Sequence, residues 1–342
     1  MTLKTAWQLI FITACCFVFC NCEKKPVTES SFYYWRQSGL VSLKEKSTIQ
    51  QYNVKHLYVK LFDVDYMSNS NVPVPIGIIN TVDSLKLVAD IIPVVFITNR
   101  TFTKLTVSDA QQLAHLLYKK VNSIYSNYNE LQIDCDWSET TREKYFAFLK
   151  ELKQLITTKI VLSATIRLHQ IKYPNITGVP PVNKGMLMFY NMGNVSDENE
   201  VNSIYNKTIA KKYTAYIKQY QLPLDAALPI FSWLVQYRNH QLVELINKTN
   251  MPDLNEAKYF SSEKNSSNFK VVNDYYLKGI FYKKDDVLRY EQLSNEGLLE
   301  AADLLKSNLP DTNRRIILFD LNETYINAYD KQTIKTIFDI SN

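Results

Sequence analysis

Two aspartates stand one residue apart at the end of an apolar segment, residues 131–137, Leu-Gln-Ile-Asp-Cys-Asp-Trp. Since side chains alternate along a strand, this pattern predicts that Asp134 and Asp136 share one face and that Cys135 and Trp137 share the other. Burying two neighbouring carboxylates is costly unless something uses or satisfies them. Such a pair raises the pKa of one member, which suits proton transfer or the orientation of a substrate. The competing interpretation is that both aspartates only hydrogen-bond to backbone amides and to an arginine such as Arg167.

Acidic, basic, amide and aromatic side chains follow other apolar segments of the chain and complete a predicted site. Asp134, Asp136 and Glu323 are the catalytic candidates. The candidates for substrate binding are Asp63, Asp65, Arg167, Tyr190, Asn191 and Trp233.

Other kinds of site find little support. The chain has four histidines and no cluster with metal-ligand spacing, so we expect no metal. We expect no cofactor either, because none of the seven glycines forms a phosphate-binding loop. His169 at a strand end is more typical of a hydrogen-bonding surface residue than of an acid or base.

The elements that would position these residues alternate between strand-like and helix-like segments about eight times. This order is typical of an α/β fold of the (β/α)₈ or TIM-barrel type, in which functional groups meet at the carboxyl ends of the strands. An open doubly wound sheet is the alternative, but it lacks its glycine-rich loop here. The predicted strands cover residues 32–35, 57–65, 91–98, 131–137, 160–167, 186–191, 224–233 and 315–321. The predicted helices lie around residues 108–121, 145–156, 201–220 and 296–309.

The predicted domain organisation is a leader, a tether and one barrel. Residues 1–22 have the basic start and short apolar core of a signal peptide, residues 23–30 are polar, and residues 31–342 form the barrel. The segment 247–284 is polar and rich in Asn, Ser and Tyr. It therefore predicts an insertion near the seventh and eighth strands.

Four of the five cysteines lie in the leader, which favours a lipoprotein signal. We predict lipid attachment at Cys22, where the apolar core ends and the following residues resemble the start of many Bacteroidota lipoproteins. Cys15, preceded by Ala14, is the alternative, and an ordinary cleaved signal with incidental cysteines is a third. The first two place the protein in the cell envelope, anchored to a bacterial membrane on its periplasmic or surface face.

Charge and composition bear on the partner. The net charge of +5 is spread over 39 basic and 34 acidic residues without a basic run, which argues against nucleic acid as the partner.

Only one cysteine, Cys135, lies in the body, so we expect a fold without disulfides and with a large core.

Three segments carry a resemblance to the chitinase-like family-18 glycoside hydrolases. Residues 134–137, Asp-Cys-Asp-Trp, resemble the end of that family's Asp-x-x-Asp-x-Asp-x-Glu motif. Residues 188–191, Met-Phe-Tyr-Asn, resemble its Met-x-Tyr-Asp on the sixth strand, and residues 227–232 resemble its Leu-Pro-x-Tyr-Gly on the seventh. With the opening Trp35-Arg36, the chain looks closer still to an uncharacterised group of bacterial barrel proteins related to these enzymes.

The same motif also departs from that family. Leu131 stands at the first Asp and Ser138 at the final Glu, which in those enzymes protonates the leaving oxygen. Serine does not donate a proton at a useful pKa, and Glu139 points the other way by strand alternation. The expectation is therefore a barrel that binds a glycan and hydrolyses it, if at all, with other strand-end carboxylates. The alternatives are a glycan-binding protein without catalysis and a structural scaffold.

Overall fold

The computed structural model describes most of the chain after the predicted leader. The described residues are 27–67, 70, 72–247, 254, 256–262, 267–277, 279–310, 312 and 314–339. The predicted leader, with Cys15 and Cys22, lies outside them, as do residues 23–26 of the predicted tether.

Eight parallel strands form a closed ring, which confirms the predicted barrel. The ring closes because β1 pairs in parallel with both the second and the last strand of the barrel. A further strand, β3 (Val74–Ile76), pairs antiparallel with β2 outside the ring. The ring strands are β1 (Thr28–Tyr34), β2 (His56–Asp65), β4 (Asp90–Ile97), β5 (Glu130–Asp134), β6 (Val161–Arg167), β7 (Lys184–Met188), β8 (Leu224–Pro229) and β16 (Arg314–Phe319).

Helices connect the strands and cover the outside of the ring. In α4, Thr106 and Asp109 form a capping box, and the residues that face the barrel recur at helical spacing. The helices are α1 (Leu43–Gln51), α2 (Asp83–Lys86), α3 (Asn99–Lys104), α4 (Val107–Ile124), α5 (Arg142–Leu155), α6 (Leu168–Lys172), α7 (Pro174–Thr177), α8 (Lys207–Thr214), α9 (Asn295–Asn308), α10 (Glu323–Ile326) and α11 (Lys331–Asp339).

Several boundaries differ from the sequence expectation. Strand β1 begins at Thr28, inside the predicted tether, because Thr28 pairs with Arg314 across the ring. Strand β5 ends at Asp134 and β7 at Met188, a few residues early, so the polar groups that follow lie on loops. The long helix expected near residues 201–220 is α8 followed by a 3₁₀ turn at Ile217–Gln219.

An inserted sheet follows the seventh ring strand and begins earlier than the predicted segment 247–284. Its five antiparallel strands lie in the order β10-β9-β15-β12-β11, beside a β13–β14 hairpin, and they pack on a small core of their own that includes Leu234, Phe260 and Leu288. The strands are β9 (Trp233–Arg238), β10 (Gln241–Asn247), β11 (Phe260–Ser261), β12 (Asn268–Val271), β13 (Tyr275–Leu277), β14 (Ile280–Tyr282) and β15 (Val287–Glu291).

Within the described part of the chain, no helix has both the length and the apolar character needed to cross a membrane.

Candidate functional site

A cavity of about 800 Å³ opens at the carboxyl ends of the ring strands. Aromatic rings and charged groups both line it. The aromatic residues are Trp35, Phe96, Tyr190, Tyr213, Phe231, Trp233, Phe319 and Tyr325. The charged or titratable residues are Asp134, Asp136, Arg167, His169 and Asp320.

Asp134 is the last residue of β5 and lies in the wall of the cavity. The Thr165 hydroxyl donates a 2.6 Å hydrogen bond to Asp134 Oδ1. Burial raises the pKa of Asp134 to about 7, the Thr165 hydrogen bond opposes that shift, and the neighbouring Asp136 charge adds to it. A carboxyl group with this pKa holds its proton about half of the time at neutral pH.

Asp136 lies two residues further, on the loop after β5, and pairs with Arg167. The distance from Arg167 Nε to Asp136 Oδ1 is 3.3 Å, and the side chains are 34% and 48% exposed, respectively. Arg167 Nη2 also donates to the carbonyl oxygens of Asp136 and Trp137, at 3.4 and 3.3 Å. Arg167 therefore braces this loop, as the competing sequence interpretation proposed, while Asp136 remains open to the cavity.

The opposite face of this segment is apolar, as strand alternation predicts. Cys135 and Trp137 are buried. Trp137 stacks on Tyr145 with ring centroids 5.2 Å apart, and its indole N–H donates to the Thr177 carbonyl at 3.0 Å. These contacts anchor the loop in the core and fix the direction in which the two aspartates point.

Tyr190, Asn191 and Trp233 also line the cavity, so six of the nine predicted site residues come together there. Phe231 joins two of them, because its ring centroid lies 5.7 Å from that of Tyr190 and 5.3 Å from that of Trp233. The aromatic wall is therefore continuous over this side of the cavity.

The structure places the other three predicted residues elsewhere. Asp63 pairs with Lys60, with 2.9 Å between Nζ and Oδ1. Asp65 is held by Arg100, which is the main reason that its pKa is lowered. Both carboxylates thus pair with cations, Lys60 in β2 and Arg100 in α3, and neither lines the cavity.

Glu323 does not line the cavity either. It lies exposed in the first turn of α10, where an acidic residue favours the helix N-terminus.

Trp35 and Asp320 line the cavity and are absent from the predicted site. Each is the residue immediately after a ring strand, β1 and β16, respectively. Both lie in the last residues of predicted strands, 32–35 and 315–321, so their position at a strand end was the available signal. At the end of β16 it selects Asp320, which is 3% exposed, over Glu323.

Ser138, at the position of the chitinase glutamate, lies outside the cavity lining. Its hydroxyl is 3.0 Å from the Thr140 hydroxyl and 3.2 Å from that of Thr141. The next residue, Glu139, is exposed. The departure seen in the sequence is thus not compensated by a neighbouring glutamate at this position.

Over the described ranges, no three or more His, Cys, Asp or Glu side chains are grouped so as to hold a metal ion.

Solved structures with the same fold include a spore cortex-lytic enzyme and several chitinases. The spore cortex-lytic enzyme SleL of Bacillus cereus is 12% identical with a TM-score of 0.58, over 93% of this chain and 75% of that chain. A chitinase from Chromobacterium violaceum is 10% identical with a TM-score of 0.56, over 92% of this chain and 98% of that one. The GH18 chitinase ChiB of Flavobacterium johnsoniae is 13% identical with a TM-score of 0.55, over 92% and 94%.

These similarities define the chain as a chitinase-like TIM barrel in its fold. At the level of sequence, neither a protein family nor a curated protein matches it. Its fold is thus shared with these three enzymes at 10–13% sequence identity.

Proposed function

We propose that the cavity at the carboxyl end of the barrel binds a glycan. The observation that carries this proposal is the combination of a continuous aromatic wall with carboxylates in one open cavity of about 800 Å³. Aromatic faces pack against the apolar faces of sugar rings, and carboxylates accept hydrogen bonds from sugar hydroxyls. The open cavity also argues against a purely structural scaffold, which has no need of a lined mouth.

The shared fold supports the same class of ligand. One structural neighbour is named a spore cortex-lytic enzyme and two are named chitinases. Fold by itself does not assign an activity, so the proposal depends on the residues of the cavity.

Hydrolysis is a second candidate function, favoured by Asp134. A carboxyl group with a pKa of about 7 is a suitable proton donor near neutral pH, whereas Ser138 is not. Asp136 and Asp320 are the other carboxylates of the cavity and are candidates to orient the substrate.

Binding and product analysis on the purified full-length chain test both functions. The ligands are four tetrasaccharides, N-acetylchitotetraose, cellotetraose, xylotetraose and laminaritetraose, titrated by calorimetry. We expect at least one to bind, and Trp233→Ala to abolish that binding. Failure of all four would contradict the glycan proposal. Mass spectrometry of the ligand after incubation separates hydrolysis, which Asp134→Asn should abolish, from binding alone.

We further propose that the protein is exported and lipid-anchored through Cys22, with Cys15 as the alternative. The support is the leader sequence, in which the apolar core ends at Cys22. We expect Cys22→Ser to prevent metabolic labelling with an alkyne fatty acid and to release the protein from membranes. If only Cys15→Ser has this effect, the attachment site is Cys15. Labelling and membrane fractionation unaffected by either variant would contradict the anchor.

A further inference from the structure

A buried carboxylate in the inserted sheet contacts the cavity wall from behind. Glu291, the last residue of β15, is 1% exposed. Its Oε2 accepts a 2.7 Å hydrogen bond from the Trp233 indole N–H, together with bonds from the Ser203 amide at 2.9 Å and the Ser203 hydroxyl at 2.6 Å. One oxygen thus joins the inserted sheet, an aromatic residue of the cavity and the loop after β7.

The other oxygen of Glu291 is held by a buried arginine. Arg289 Nε donates to Glu291 Oε1 at 2.6 Å, and Arg289 is 2% exposed. Arg289 Nη1 donates in turn to the carbonyl oxygens of Asp197 and Glu198, at 2.7 and 3.1 Å. The ion pair is therefore hydrogen-bonded to the loop after β7, the same loop that supplies Asn191 to the cavity.

An ion pair this deeply buried is costly to desolvate and is weak evidence for net stability. A buried polar network whose groups are hydrogen-bonded restricts the geometry of its side chains. The Trp233 side chain has a single hydrogen-bond donor, the indole N–H, and that donor is bound to Glu291. The indole is therefore held at a fixed rotation and offers a ligand only its apolar ring. A side chain held in advance loses less conformational entropy when a ligand binds.

We propose that Glu291 is a positioning residue for glycan binding: through its hydrogen bond from Trp233 it sets the aromatic wall of the cavity from the inserted sheet. This inference rests on the proposed glycan binding and adds the residue that makes the wall rigid.

The same sheet offers a matched control. Asp286 is a fully buried carboxylate paired with Arg238, with 2.7 Å between Arg238 Nε and Asp286 Oδ1. Its other hydrogen bonds come from Gln236 and the Lys283 amide rather than from Trp233. Asp286→Asn and Glu291→Gln each remove one buried charge from an arginine pair. A purely structural role for Glu291 predicts that the two variants behave alike.

The ligand is the tetrasaccharide that the wild type binds among the four. Its affinity is measured for both variants. We expect Glu291→Gln to weaken it roughly tenfold and Asp286→Asn to change it by less than about twofold. Trp233→Phe keeps a ring but removes the donor, so adding Glu291→Gln to it should weaken binding by no more than about twofold further. Equal losses in the two carboxylate variants, or additive losses in the double variant, would overturn the proposal.

A ligand-free measurement keeps this test separate from the glycan proposal. In ¹⁵N-tryptophan-labelled full-length protein, the Trp233 indole cross-peak is assigned by its loss in Trp233→Phe. We expect it to move upfield in Glu291→Gln and to stay in place in Asp286→Asn. If no tetrasaccharide binds but the peak moves as expected, the glycan proposal fails while the positioning of Trp233 stands. An unmoved peak in Glu291→Gln overturns the positioning itself.

Discussion

At the scale of single residues, Asp134 and Asp136 are separated by one position and yet have different environments. Asp134 accepts from Thr165 and lies where burial raises its pKa, whereas Asp136 is about half exposed beside Arg167. Two carboxylates whose environments differ in this way are suited to different tasks. In the proposed function, Asp134 would exchange a proton near neutral pH and Asp136 would contact the ligand.

Asp136→Asn tests the role of that charge. Because both partners of the Arg167 pair are about a third or more exposed, losing it should change the free energy of unfolding by less than about 1 kcal/mol. Glycan affinity should fall by at least about tenfold, since a charge-assisted hydrogen bond is lost. Urea unfolding and calorimetric titration on one preparation measure both. A clear loss of stability with unchanged affinity would show that Asp136 only braces Arg167.

Asp134→Asn tests the raised pKa. The folded chain holds this proton more tightly than the unfolded chain, whose carboxyl has a pKa near 3.8, so stability from this site falls as pH rises from about 4 to about 7. Between pH 5 and pH 8 the free energy of unfolding of the wild type should therefore fall by on the order of 2 kcal/mol more than that of the variant. Urea unfolding at both values checks this, with exposed Asp303→Asn as the control. Parallel behaviour of wild type and Asp134→Asn would contradict the assignment.

At the scale of elements, the strands approach one another closely where the sequence places a glycine. A Cβ atom on Gly185 in β7 would lie 2.7 Å from Ile166 Cγ1 and 2.8 Å from Leu224 Cδ2, on the two neighbouring strands. The missing side chain thus lets β6 and β8 pack against β7. Gly297 in α9 differs, because its nearest neighbour would be 3.6 Å away.

Gly185→Ala should therefore lower the free energy of unfolding by about 1–3 kcal/mol through overpacking of the ring. Gly297→Ala should leave it unchanged or raise it by up to about 1 kcal/mol, since alanine favours a helix. Denaturant midpoints of the two variants give the comparison. If Gly185→Ala were as stable as Gly297→Ala, the close approach of the strands would not need a glycine.

At the scale of the whole molecule, the end of the barrel opposite the cavity is closed by a partly buried ionic network. Arg315 donates to Glu130 Oε2 at 2.6 Å and to Glu29 Oε2 at 3.0 Å, and Lys184 Nζ lies 3.0 Å from Glu130 Oε2 and 2.5 Å from Asp225 Oδ2. These residues stand at the starts of five ring strands. The network therefore ties distant segments together at one end, while the other end stays open to a ligand.

Arg315→Met should lower the free energy of unfolding by about 3 kcal/mol or more, because it leaves Glu130 buried with only Lys184 as a counter-charge. Lys335→Met is the control, since its pair with Asp339 is exposed and 3.8 Å long, and should cost less than about 0.5 kcal/mol. Chemical denaturation compares them. Similar stability of the two variants would mean that the network does not hold the strands.

Much of the architecture was predictable from the chain because local pattern determines it. Continuous apolar segments predicted the buried ring strands, helical periodicity predicted α4, α5 and α9, and their alternation predicted the barrel. The strand order then implied that Asp134, Arg167 and Trp233 meet at one end, as they do. A residue's position along a strand is a local property, so sequence suffices for it.

Only the tertiary structure decided which strand-end residues face the cavity. Asp63, Asp65 and Asp320 all stand at strand ends. Only Asp320 lines the cavity, because Asp63 forms a salt bridge with Lys60 and Asp65 forms one with Arg100. The insertion that places Glu291 behind Trp233 was visible only as a polar break in the pattern, and it begins before that break. These choices depend on pairings between segments far apart in the chain, which strand and helix periodicity does not encode.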